Sequence, residues 1–354
     1  MVDPDVAHRT RLIQVGLGGW GGDWARNAVP AVGEVEQVAV VDARETTLRG
    51  AQQELGLPDG RCLTSLAAAL AAVPADGVLV TAPVGFHVPL ALEALEAGLH
   101  VLVEKPFASG VAEARAAVER AEDLGLVLQV SQNYRAYPAP QAVRDLVAAG
   151  AVGDLSVVHV DFRRWANDAP AATNRHHTFS HPLLHDMAVH HFDLLRMVTG
   201  RDAVRVYAKV TDPPWSRFRE EASAVLTIEM AGGLTASYRG SWVSRGPQTA
   251  WDGEWALEGA DGRITFTGRG GRGPADDVVH VSRGGGPPTP VPLPAPALWG
   301  RSAGLRQFAR AIAGGPPPDV TGRSNLGTLA LMEAATRSAA SGRVEDVEDV
   351  ASTR

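Results

Sequence analysis

Residues 12–21 read Leu-Ile-Gln-Val-Gly-Leu-Gly-Gly-Trp-Gly. An apolar, strand-like run delivers Gly16, Gly18 and Gly21 in G-x-G-x-x-G spacing. A second apolar run, residues 38–41, ends on Asp42, 21 residues past the last of these glycines. Each part has a physical job in holding a dinucleotide. Gly16 permits a tight strand-to-helix turn. Gly18 has no Cβ, so backbone N–H groups can approach a pyrophosphate, and Gly21 lets the helix pack closely on the strand. The helix N-terminus offers unpaired N–H groups and a partial positive charge to the phosphates. Chance alone makes such spacings in a chain with 38 glycines. The strand before the glycines and the acid after them carry the argument. Asp42 is placed to accept hydrogen bonds from the adenosine ribose and to repel a 2′-phosphate, which favours NAD over NADP. Arg44, two residues on, pulls the other way.

Outward from this stretch, the first 135 residues alternate short apolar runs with helical patterns. Strands are expected at 12–17, 37–42, 77–81, 100–104 and 126–131, with alanine-rich helices at 88–97 and 111–124. Strand, helix, strand repeated in this way means a parallel sheet with helices on both faces, whose ligands bind at the C-terminal ends of the strands.

The pattern changes after Tyr137. A helix at 140–149, a strand at 155–165 and a helix at 182–199 lead into successive strands at 204–210, 222–230, 235–243, 254–259, 263–267 and 278–282. Gly232-Gly233 reads as a hairpin turn. Strands joined by turns imply an antiparallel sheet, so this half is α+β. The glycine- and proline-rich stretches 268–274 and 284–296 read as surface connections, because helical segments follow at 302–313 and 324–341. The expected architecture is an α/β Rossmann domain over residues 1–135 and an α+β domain with a large, mostly antiparallel open sheet over 136–354. The C-terminal helix is free to pack back on the first domain.

Two constellations carry chemistry. Glu104-Lys105-Pro106 ends a strand of the nucleotide half, so Lys105 sits at the sheet edge where a nicotinamide would lie. A lysine there can hydrogen-bond a substrate oxygen, and burial beside a cationic ring would lower its pKa toward acid–base use. A surface lysine at a strand end, stopped by proline, accounts for the same residues. On the 182–199 helix, Asp186 and His190 are i,i+4 neighbours and share a face. A carboxylate beside an imidazole orients it and stabilises its protonated form, an arrangement suited to moving a hydroxyl proton. Asp193 reads as a structural hydrogen-bonding group. Leu183, Leu184, Phe192, Leu194 and Leu195 mark the helix as buried, so a plain solvated polar face fits poorly.

Six of the 11 histidines fall between His176 and His191, which raises a metal-assisted lyase or hydrolase as an alternative. No H-E-x-x-H or Cys/His ligand pattern appears, and histidines lining a polyol pocket explain the same residues, so no metal is expected. Thr81, Pro83 and His87 are placed to touch the ribose or nicotinamide side. Asn133, Arg163, Arg164 and Trp165 end strands and could contact substrate; His181 and His185 are further hydrogen-bonding candidates. Formal net charge is −7, which argues against nucleic acid or an anionic membrane as partner. Cys62 is the only cysteine, no segment reads as a signal peptide or a membrane span, and a cytoplasmic location is expected.

Taken together, these residues resemble the glucose–fructose oxidoreductase / inositol dehydrogenase / MocA (Gfo/Idh/MocA) family. The resemblance runs through Val15-Gly16-Leu17-Gly18-Gly19-Trp20-Gly21 and Thr81-Ala82-Pro83 to His87. It continues in the run from Ala94-Leu95-Glu96-Ala97-Gly98 to Val103-Glu104-Lys105-Pro106, in Asp186-x-x-x-His190-x-x-Asp193, in Asn325-Leu326 with Glu333-Ala334-Ala335, and in Gly342-Arg343. It implies a catalytic group of Lys105, Asp186 and His190, and a cis bond before Pro106. It implies NAD contacts from Gly16, Gly18, Gly19, Trp20, Gly21, Asp42, Thr81, Pro83, His87, Glu104 and Lys105. Substrate contacts are expected from Lys105, Asn133, Arg163, His185, Asp186 and His190. The activity implied is a dehydrogenase acting on a secondary hydroxyl of a sugar, cyclitol or related polyol, in a homo-oligomer, dimer or tetramer. A redox-neutral enzyme that retains its NAD and a non-catalytic NAD-binding regulator are the other readings. The chain departs from the family at His181-Pro182-Leu183-Leu184-His185, where many members carry glycines, and at the extra His191. Both departures fall on the substrate side.

Overall fold

The computed structural model describes residues 9–168 and 175–350; the outer limits expected for the two domains, residues 1 and 354, lie outside these. The chain divides into two compact units. One runs to Asn133 and also takes in Leu298–Leu326, and the other holds Tyr134–Ala297 and the chain from Gly327 onward.

The first unit is built on strands β1 (Thr10–Val15), β2 (Val35–Val41), β3 (Cys62–Leu63), β4 (Gly77–Val80), β5 (His100–Glu104) and β6 (Leu128–Ser131), with helices α1 (Trp20–Asp23), α2 (Glu45–Leu55), α3 (Leu66–Ala72), α4 (His87–Glu96) and α5 (Val111–Asp123) between them. All neighbouring strands are parallel, in the order β3-β2-β1-β4-β5-β6. The short strand β3 and helices α2 and α3 go beyond the elements legible in the sequence. β4 is buried at every residue, as a strand covered on both faces must be. The order reverses beside β1, which makes the end of β1 the switch point where such sheets take ligands.

Helix α8 (Gly300–Ile312) corrects the expected division, which ran the second domain unbroken to 354. Its Leu305 and Phe308 pack with Leu12, Leu79 and Leu102 of the parallel sheet and with Trp24 and Val29. Gly77 makes room for it, since a Cβ there would lie 3.0 Å from the Phe308 ring. An amphipathic helix reveals that it needs a partner but not which one.

The second unit begins with α6 (Pro138–Ala148) and β7 (Leu155–Arg163) and continues through α7 (Val189–Thr199), β8 (Ala203–Thr211), β9 (Ser223–Met230), β10 (Thr235–Ser241), β11 (Glu254–Gly259), β12 (Gly262–Thr267), β13 (Val278–Arg283), β14 (Thr289–Pro290) and β15 (Glu345–Asp346). Nine strands form one sheet in the order β14-β13-β12-β11-β7-β10-β9-β8-β15, and only β7 and β10 are parallel neighbours. Gly232 and Gly233 join β9 to β10 at φ 74° and 78°, the positive values that a tight hairpin turn demands of both residues. Helix α9 (Gly322–Ser341) starts in the first unit and continues in the second. No helix among the described residues is long and apolar enough to cross a membrane.

The helix expected at 182–199 is not uniform. Residues Pro182–Ala188 wind as a π-helix and only then does α7 follow. Inserted π turns of this kind recur at functional sites. Within α7, Asp193 is 1% exposed, and both its oxygens take the Arg135 guanidinium, at 2.6 and 2.8 Å, with Thr328 Oγ1 donating at 3.0 Å. This is the structural role the sequence suggested. Removing one partner of a buried ion pair strands the other's charge. Asp193→Ala is therefore expected to cost about 3–5 kcal/mol, read as a fall in the urea-unfolding free energy. A change under about 1 kcal/mol, the size of an exposed pair, would mean that Arg135 finds another partner.

Candidate active site

The glycine turn after β1 is shaped for close backbone approach. Gly16 has φ 94°, and a Cβ there would lie 2.6 Å from Ala82 N; one on Gly21 would lie 2.1 Å from Gly16 O. Thr81 Oγ1 donates to Gly16 O at 2.6 Å, and Gln14 Nε2 donates to Gly21 O at 2.7 Å, so two side chains brace the turn from beneath. Gly19 continues it at φ 42° before α1 begins at Trp20. Asp42, at the end of β2, turns its carboxylate back to the same turn: Oδ2 accepts from Leu17 N and Oδ1 from Arg44 N, each at 2.9 Å. The Arg44 guanidinium is mostly exposed, 3.6 Å from that carboxylate. A cradle that no Cβ can enter, closed by a fixed carboxylate, fits an adenine dinucleotide.

Two residues expected to touch the cofactor, Glu104 and His87, have several partners within the protein. The Glu104 carboxylate is 4% exposed and takes four donors. Oε1 accepts from Trp20 Nε1 (2.9 Å), Trp24 Nε1 (2.6 Å) and Ser131 Oγ (3.2 Å), while Oε2 accepts from Lys105 N at 2.9 Å. His87 is 2% exposed, with ring nitrogens 2.9 Å from Pro106 O and 2.7 Å from Ala82 O. Burial lowers its pKa. Both side chains position the turns around them. Lys105 follows β5, and the Lys105-Pro106 bond is cis. Pro83 is exposed before a short 3-10 turn, Val84–Phe86. Asn133 is buried, and its Oδ1 has no partner.

In the second unit, Asp186 Oδ2 lies 2.8 Å from His176 Nδ1, a partner outside the helix that the i,i+4 reading did not contain. His190 is 4% exposed and stacks on Tyr134, with ring centroids 3.9 Å apart and planes within 6°. Arg269 Nη1 donates to the Tyr134 hydroxyl, and its guanidinium lies over that ring at 4.2 Å. Arg269 stands in the 268–274 stretch read as a surface connection. It turns inward at φ 54°, a region an arginine rarely occupies. Arg164 lies over Trp251 at 4.2 Å. Tyr134 thus meets His190 directly, and Arg269, Trp251 and Arg164 extend the group from Tyr134.

Arg163 and His185, expected to contact substrate, also have partners within the second unit. On β7, Val158, Val160 and Phe162 are buried, so the period of two sends Arg163 to the opposite face from the Phe162 ring, which packs on His191. There Arg163 pairs with Glu254 at 2.6 Å. His185 Nε2 bonds Thr336 Oγ1 at 2.9 Å, away from the Tyr134 stack, and burial with the neighbouring His181 pushes its pKa down to about 4. His191 is pushed to about 4 by burial between Tyr238 and the Trp251 carbonyl, so it is neutral and structural. His181 meets Glu220 and Glu221, the one group with metal-ligand spacing among the described residues. That group contains neither Asp186 nor His190.

Both halves match family models. Residues 11–132 match the oxidoreductase family with an NAD-binding Rossmann fold, and residues 141–271 match the GFO/IDH/MocA C-terminal domain. The chain belongs to the Gfo/Idh/MocA family of NAD-binding oxidoreductases. It is 29% identical to a D-apiose dehydrogenase of Paraburkholderia graminis, over 93% of this chain and 88% of that one. It is 25% identical to a 1,5-anhydro-D-fructose reductase of Ensifer adhaerens, over 92% and 95%. In fold it resembles an oxidoreductase from Agrobacterium radiobacter solved with NAD+, L-tartaric acid and magnesium. That likeness has a TM-score of 0.82 and 22% identity, and covers 96% of this chain and 98% of that one.

Two expectations follow. NAD should bind at least ~10-fold more tightly than NADP, about 1.4 kcal/mol, and Asp42→Ala should narrow the gap by removing the charge that opposes Arg44. Equal binding of the two by the unaltered protein in a titration would contradict this role of Asp42. The second concerns Asp252, whose Oδ1 accepts from Gly268 N at 2.6 Å. Burial pushes this acid up to about 8 from an ordinary 3.8. A group raised in the folded state stabilises fully below its unfolded pKa, and that contribution is lost as pH rises through the folded one. Between pH 4 and pH 8 the unaltered protein should therefore lose stability relative to Asp252→Asn. Parallel stability–pH curves would show that Asp252 ionises normally.

Proposed function

We propose that the chain is an NAD-dependent oxidoreductase acting on a secondary hydroxyl of a sugar, cyclitol or related polyol, with Lys105, Asp186 and His190 as its acid–base group. The observation that carries this is the glycine turn closed by Asp42, in a family member whose relatives along nearly the whole chain include sugar dehydrogenases and reductases. Bound in that turn, NAD supplies the hydride acceptor or donor. His190 exchanges the hydroxyl proton. Tyr134 fixes its imidazole plane by stacking, and Asp186, four residues before it, serves to orient it. Lys105 hydrogen-bonds the substrate oxygen as its charge changes, from a backbone that Glu104 holds in place. Working location and assembly belong to the same proposal: a cytoplasmic homo-oligomer, dimer or tetramer.

A screen of sugars and cyclitols, followed by reduced-nicotinamide absorbance, tests the reading. Polyhydroxylated compounds should be oxidised, and mono-hydroxy alcohols of similar size should not, because a pocket built for hydroxyls leaves its own polar groups unpaired against them. On the substrate found, Lys105→Ala and His190→Ala should each lower kcat by roughly 10²-fold or more. Turnover of both variants at the unaltered rate would place the chemistry on other residues.

A further inference from the structure

Two guanidinium groups of the second unit converge on one indole. Arg164 lies 4.2 Å and Arg269 5.7 Å from the Trp251 centroid. Neither forms an ion pair with any described carboxylate. Among the described residues, the Arg164 side chain makes a 3.2 Å bond from Nη1 to Gln248 Oε1, and its Nε is buried without an acceptor. Arg269 spends Nη1 on the uncharged Tyr134 hydroxyl. The acids nearby do not supply the missing charge. Asp252 is held largely in its acid form by burial. Asp277 gives its oxygens to the backbone N–H groups of Arg269 and Ala139. Asp186, whose charge also reaches Tyr134, is engaged by His176. Arg164 feels the cost: burial and the charge of Arg269 both lower its pKa.

Holding two like charges together, half out of water and without a counter-charge, is unfavourable. The protein sustains it structurally. The buried acids Asp252 and Asp277 fasten the chain on either side of Gly268, where a Cβ would lie 2.7 Å from each. This fixes Arg269 in its positive-φ conformation beside Tyr134, which itself stacks on His190. A planar guanidinium with an unfilled N–H edge is the natural receptor for an anion with several oxygens, which it binds through parallel charge-assisted bonds.

We propose that Arg164 and Arg269, seated on Trp251 next to the Tyr134–His190 stack, bind an anionic group of the substrate, making it a sugar that carries a carboxylate or a phosphate. This rests on the sugar-oxidoreductase reading and narrows its substrate class. The anion supplies the counter-charge and sets which hydroxyl faces His190.

The test is calorimetric titration of the NAD-saturated protein with D-glucuronate, D-glucose 6-phosphate, D-glucose and inorganic phosphate, with turnover followed in parallel. A charged sugar should bind at least ~10-fold more tightly than D-glucose, and Arg164→Gln should remove that advantage while D-glucose affinity stays within about 2-fold. Whether glucuronate or the phosphate ester gains more decides between carboxylate and phosphate. Arg164→Lys, which keeps the charge and loses the fork, should fall between, and it serves if Arg164→Gln does not fold. D-glucose bound and oxidised as well as the charged sugars would overturn the anion site and leave the oxidoreductase reading intact. If no sugar binds, inorganic phosphate decides: binding that Arg164→Gln abolishes keeps the site while the sugar reading falls, and no binding overturns both.

Discussion

The first unit depends on one buried carboxylate. Glu104 gathers two indole N–H groups, a serine hydroxyl and the Lys105 amide on its two oxygens. Each of these bonds offsets part of the cost of taking the carboxylate out of water. The network ties the start of α1, the π-wound turn of Trp24, strand β6 and the turn that carries Lys105 to a single point. The same indoles hold the guanidinium of Arg301, 4.0 Å from the Trp20 ring and ion-paired to Asp23, so helix α8 is fastened there as well. The glycine turn and the lysine turn thus share a rigid support, as a reaction needing sub-ångström placement requires.

The second unit repeats the device with different chemistry. There the buried acids are Asp252 and Asp277, and the loop they hold projects Arg269 onto Tyr134. Aromatic stacking then fixes His190, while Asp193, Arg135 and Thr328 anchor α7 beneath it. Histidine chemistry is divided by environment. His191 and His185 are driven neutral by burial, and His181 is drawn to Glu220 and Glu221. The density of histidines in residues 176–191 therefore does not make one ligand cluster.

Local pattern made much of this legible. The parallel strands were visible because they are short, continuously apolar and separated by helices. The hairpin at Gly232-Gly233 was visible because two positive φ values in succession require glycine. Asp193 was legible as structural because a charge on an apolar helix must find a partner. The setting of Arg163 was less legible, because adjacent strand residues face opposite ways and which side each takes depends on where the strand ends.

The sequence by itself determined the nucleotide turn, the class of both sheets and the family, because glycine spacing, apolar period and the Lys105, Asp186 and His190 motifs are all local in the chain. Only the tertiary structure decided which partners Glu104 and His87 take within the protein and that α8 belongs with the parallel sheet. It also decided that an arginine from a glycine-rich loop reaches Tyr134, 135 residues away. A residue's partners across such distances are set by packing, and packing has no signature in the residue itself.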